Sequence, residues 1–309
     1  MKKRLFLSFL SLLAALSPLQ AAEPTPCVLP LTYFKGHFYI GTTIQDSIPV
    51  RIALESGIPY PLIDRRFVEE HPAAFAPDSL KKPLGFRMAL GTRYEARTKL
   101  APGLHIGPMR TLSRCYAVDL GKQMCDMILP LQTVATDTTD CPGIFAIDLH
   151  RGELHVEPAL PDTTAGWSVS ALDRDEKSGL YLVRGRLALT NDAGRTYGEE
   201  RSLIVDLGNA NLLALFHARP EVRAFVRRSR TGFRDGYASS GQRVRALQPA
   251  ATTFFDAWRF EKRAIVLIDR EMKVPGDGFL GARFFEPFSV ILDFRGSRMW
   301  VAPTGRIEF

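Results

Sequence analysis

Ser202–Phe216, SLIVDLGNANLLALF, carries one carboxylate between two apolar runs. Leu203, Ile204 and Val205 lead into Asp206, a turn through Leu207, Gly208 and Asn209 follows, and Leu212–Phe216 leaves again. Short β-branched runs bounded by turn residues read as buried strands. An acid where two such strands meet is costly to bury without a partner. Arg51–Ile63, RIALESGIPYPLI, has the same design with Glu55 in the acid's place.

The spacing around these two stretches repeats. Asp126 follows Glu55 by 71 positions and Asp277 follows Asp206 by 71. GIFAIDLHRGELHVEP (143–158) parallels FSVILDFRGSRMWVAP (288–303), each a strand, an Asp-led turn and a second strand before Pro. Asp148 and Asp293 are thereby expected to form hairpin turns and not to react. Helices are expected at Asp64–His71 and Pro220–Arg228, the latter with Pro at its start. Gly91 lies 36 positions after Glu55 and Gly241 35 after Asp206, each in a hairpin able to fold over a cleft as a flap. Tyr94 and Tyr237 belong to those hairpins as flap contacts.

The pattern predicts an all-β chain of two similar lobes, 27–158 and 167–309, joined by the linker 159–166, with a few short helices. Met1–Ala22 has the basic start, apolar run and small-residue cut site of a secretory signal peptide, so export to the bacterial envelope, periplasmic or secreted, is expected. No later apolar run reaches spanning length, and no membrane insertion is expected after the signal is removed. Of the formal charge of +7, three basic residues lie in the signal. The arginines at 223, 227, 228, 230 and 234 read as the solvated face of a helix, and no nucleic-acid footprint is expected.

Cys27, Cys115, Cys125 and Cys141 permit one or two bridges or plain buried thiols, with the pairing open. No metal-ligand spacing occurs, and neither a metal nor a cofactor is expected. Gly276, Gly278 and Gly281 match a dinucleotide-binding pattern, but Pro287 and a strand follow too soon for the required helix. His150 and His155 are placed on the surface of the first closing hairpin, and the three tryptophans in core or cleft lining.

Two matched acids predict a pair at the lobe interface. Carboxyls about 3 Å apart cannot both ionise and share one proton. The apolar strand, the acid-Ser-Gly turn, the later apolar-apolar-Gly and the closing hairpin resemble the pepsin/retropepsin group of aspartic peptidases. Gly276–Val301, GDGFLGARFFEPFSVILDFRGSRMWV, is most similar, notably to bacterial retropepsin-like proteins. The resemblance implies a closed acid-protease β-barrel architecture, a flap, and an extended peptide or protein substrate across catalytic Asp206 and Glu55. Ser56, Gly57 and Gly208 would support the pair, in a monomer. Glu55 departs from the family's Asp, Leu207 from its hydroxyl residue, and Leu129-Pro130 from the Leu-Gly seen at Leu280-Gly281. Two functions therefore stand side by side: an endopeptidase, and a catalytically degenerate module binding a peptide or envelope polymer in the same cleft.

Overall fold

A computed structural model describes residues 26–87, 93–100, 104–109, 111–112, 114–121, 125–137, 143–161, 164, 166–237 and 243–303. The expected signal peptide, Gly91, Gly241 and Cys141 lie outside these residues. Among them the chain is mostly β-strand with short helices, as the alternating apolar runs require.

The pairings repeat. The strand Ile48–Glu55 runs antiparallel to His37–Ile44 and parallel to Met127–Pro130. Thr196–Asp206 runs antiparallel to Tyr181–Thr190 and parallel to Gly278–Gly281. The register is the same in both: Pro130 lies beside Glu55, and Gly281 beside Asp206. Leu62–Asp64 and Leu213–Leu215 then cross to those parallel partners in matching fashion.

The spacing of 71 has a physical cause. Four residues before each acid, a backbone N–H donates to the later aspartate: Arg51 N to Asp126 Oδ2 at 2.8 Å, and Ser202 N to Asp277 Oδ2 at 3.1 Å. Each aspartate's own N–H returns to the same residue's carbonyl, at 2.8 Å and 2.6 Å. The brace fixes where the acid strand ends, and so where its carboxyl emerges.

The helices fall where expected. Arg65–Glu70 is capped by Asp64, whose carboxylate accepts the Arg66 N–H, and Pro220–Ser229 begins on Pro220. Ionic bonding to Arg66 and the Arg66 and Leu120 N–H groups hold Asp64 below the usual carboxylate range against its burial. The arginines at 223, 227, 228, 230 and 234 are exposed. Asp148 accepts the His150 and Arg151 N–H groups and Asp293 that of Gly296, so both close turns. Only the four-residue helix Ala282–Phe285 follows the Gly276–Gly281 glycines, too short for a dinucleotide site.

One seam joins the halves. Ile144–Asp148 pairs antiparallel with Phe288–Asp293. Outward from this seam lie Glu153–Glu157 and Cys27–Phe34 on one side, and Arg298–Pro303 and Ser168–Arg174 on the other. His155 sits in this sheet between two neighbouring strands and is 4% exposed, bonded to Glu153 Oε2 at 2.9 Å. The surface position expected for it is thereby corrected: Glu153 and Glu157, two residues to either side on the same strand, close over both ring nitrogens. His150 is exposed. Cys115 and Cys125 are buried and unbridged, settling those two as thiols, and burial pushes both up to about 12.

Phe145 lies on the seam, fully buried, opposite Leu292 and 6.1 Å from the Phe294 ring. Phe145→Ala is expected to cost about 3–5 kcal/mol, read as a fall in Tm with the native circular dichroism retained at low temperature.

Candidate active site

The two acids emerge from matching strand ends and meet. Glu55 is 3% exposed and Asp206 7%. The Asp206 carboxyl hydrogen-bonds the Glu55 side chain. Each acid also lies over the other turn's glycine. A Cβ on Gly57 would stand 2.5 Å from Asp206 Cγ, and one on Gly208 would overlap the Glu55 carboxyl. Only glycine permits this crossing.

Ser56 ties the turns together. Its Oγ donates to the Val205 carbonyl at 2.8 Å and accepts the Leu207 N–H at 3.0 Å, and the residue is 1% exposed. Glu55 Oε1 accepts three backbone N–H groups, from Ser56 at 2.9 Å, Gly57 at 2.7 Å and Gly208 at 3.3 Å. The added methylene of Glu55 therefore leaves the carboxyls in contact. It folds the acid back over its own turn.

Burial foremost, then the negative charge of Glu55 and the bond to it, pushes Asp206 well above the usual carboxylate range. The Gly208 N–H and the Asn209 side chain pull it partly back. The pair thus resists losing its last proton. Such an arrangement can present a hydrogen-bond donor and a proton acceptor side by side.

Three further residues hold the site, and the sequence reading did not single them out. Gln132 is 2% exposed and donates from Nε2 to the Ser56 and Ile58 carbonyls at 3.1 and 2.7 Å, while Thr133 Oγ1 donates to Pro59 O at 3.0 Å. Pro130, aligned with Glu55, places both on the following helix, Leu131–Asp137. His37 faces Glu55 and the Gly208 carbonyl, and burial holds its imidazole below the ordinary value against both. Counting two residues past the Tyr39–Ala53 pair sets it opposite Glu55. That count was the signal available.

The two hairpins expected as flaps both form. Tyr94 pairs with Phe86 near the turn end of the first hairpin's described part and is 5% exposed, its ring turned into the apolar cluster of Tyr116 and Leu62. Tyr237 is 78% exposed at the end of the second hairpin's described part. Trp167 and Trp300 join a small apolar cluster, and Trp258 packs on Phe288. Among the described residues no group of histidine, cysteine and acidic side chains is placed to hold a metal ion.

The chain matches no family model and no curated protein.

Two outcomes follow from this geometry. Ser56→Ala leaves the Leu207 N–H and Val205 carbonyl unpartnered in a buried place, at a cost of about 1–3 kcal/mol, measured by denaturant unfolding. The folded-state value of Asp206 is raised above its unfolded one, so its contribution to stability is full below about pH 4 and is lost as pH rises through the raised value. Asp206→Asn is therefore expected to raise Tm relative to the parent protein at pH 7 and to lose that advantage below about pH 4, as read by scanning calorimetry across pH.

Proposed function

We propose that this is an exported aspartic endopeptidase of acid-protease architecture, cutting extended peptides in the cleft between its two halves. The observation that carries the reading is the buried carboxyl pair in which Asp206 is pushed up against Glu55. Supporting it are the matched registers of the two acid strands and the Ser56 hydroxyl spanning the turns.

In the proposed reaction a water lies against both carboxyls. Glu55 takes a proton from the water as its oxygen attacks the peptide carbonyl carbon. Asp206 gives its proton to the carbonyl oxygen, and a neutral tetrahedral diol forms. The C–N bond then breaks as Glu55 returns its proton to the departing nitrogen and Asp206 recovers one from a diol hydroxyl, which restores the pair. Glu55 Oε1 is occupied by backbone donors, so Oε2 is the oxygen assigned to proton transfer. The paired hairpins Pro77–Arg87 with Arg93–Leu100, and Gly232–Tyr237 with Arg243–Gln248, would cover the substrate as flaps. The basic, apolar start of the chain supports export to the envelope.

A non-catalytic binding module is the second reading. It is favoured by Leu207, which leaves the pair with a single cross-turn hydroxyl. Incubation with a reduced, alkylated protein separates the two. The endopeptidase is expected to cut it below about pH 6, with cleavage falling as pH rises through the raised Asp206 value. Asp206→Asn is expected to lose about 10²–10⁴-fold in kcat/KM. Cleavage unchanged in Asp206→Asn would exclude the pair as the catalyst. Peptide binding without cleavage at any pH would assign the binding module.

A further inference from the structure

The two acid turns satisfy their backbone differently, and the difference is sharpest at one N–H. At both acids the N–H two residues on reaches the acid's own carboxyl, Gly57 to Glu55 at 2.7 Å and Gly208 to Asp206, although Gly208 is shared with Glu55 Oε1 at 3.3 Å. The N–H one residue on does not follow the same rule. Leu207 N–H goes across to the hydroxyl of Ser56 at 3.0 Å. Applied to the other turn, the pseudo-twofold relation would send Ser56 N–H across to a hydroxyl on residue 207. That residue is a fully buried leucine with nothing to accept it. Ser56 N–H instead finds Glu55 Oε1 at 2.9 Å.

We infer that Glu55 and Leu207 are an exchanged pair: the longer acid accepts the buried N–H that a hydroxyl on residue 207 would otherwise take. Glu55 thus has two separable tasks. Oε1 is a fixture of its own turn, and the carboxyl as a whole remains the partner of Asp206. An aspartate at 55, like Asp206, reaches the second N–H but leaves the first without an acceptor in a site that excludes water. Such orphaned donors are expensive. The glutamate is on this view a positioning device as well as an acid. The inference rests on the hydrogen bonds of the turn, and only its activity arm depends on the peptidase reading.

Four variants test it: Glu55→Asp, Glu55→Gln, Leu207→Thr and the double Glu55→Asp/Leu207→Thr. Glu55→Gln keeps the reach and an acceptor oxygen, so it is expected to hold the parent Tm at acid pH while losing cleavage. Glu55→Asp keeps an acid and loses the acceptor. Its Tm is expected to fall, and hydrogen–deuterium exchange of the Ser56 amide to speed at least tenfold. In the double variant that amide is expected to regain protection, with Tm about 2–4 °C above the sum of the single effects. Leu207→Thr alone forfeits apolar packing, and the cycle removes that common loss. If it fails to fold, Ser56 exchange in Glu55→Asp against Glu55→Gln still decides the matter. Additive Tm values, or equal Ser56 exchange in the Asp and Gln variants, would overturn the inference. Neither readout needs cleavage, so an inactive parent protein would sink the peptidase reading and leave this one standing.

Discussion

Two carboxyl groups buried against one another are the constraint the molecule is built to meet. Desolvation and mutual repulsion both oppose ionising the second acid. The chain answers with an Asp206 carboxyl held above its usual range, a cage of backbone N–H groups around Glu55, and two glycines that let the acids overlap the opposing turns. None of this survives a displacement of either strand end. The bonds from Arg51 and Ser202 to the aspartates 71 residues beyond each acid, in line with Pro130 and Gly281, set both ends in one frame.

Matching strand registers give the frame, and small departures from them give the site its character. Leu207 removes a hydroxyl and Glu55 adds a methylene. Pro130 stands where Gly281 stands in the other half, so the Gly281 N–H bond to Leu212 O at 3.0 Å has no counterpart at Pro130. The first turn is supported instead from the side, by Gln132 and Thr133. Symmetry in the backbone and asymmetry in the side chains therefore coexist within a few residues of the acids. A pair that must hold one proton benefits from unequal surroundings, since inequality decides where the proton rests.

Much of the frame is legible in the linear chain because it is made of local chemistry. Apolar runs ending in an acid-turn-glycine, an aspartate cap before Arg65 and a proline opening the second helix each act within a few residues. The spacing of 71 is visible because the same bond recurs in both halves. What stayed hidden depends on contacts between distant segments. Gln132 reaches a carbonyl 76 positions away. His37 needs the hairpin register before it can be set against Glu55. The accommodation of Glu55 was least legible, since a methylene's displacement says nothing about the N–H groups that would receive it.

The seam between the halves has a consequence for the acid pair. Among the described residues, every strand pairing lies within one half except Ile144–Asp148 with Phe288–Asp293. Each half thus completes its other pairings from its own strands. Because both acid turns lie on one chain, positions 55 and 206 are specified independently, and the site can hold an unlike pair, glutamate facing aspartate.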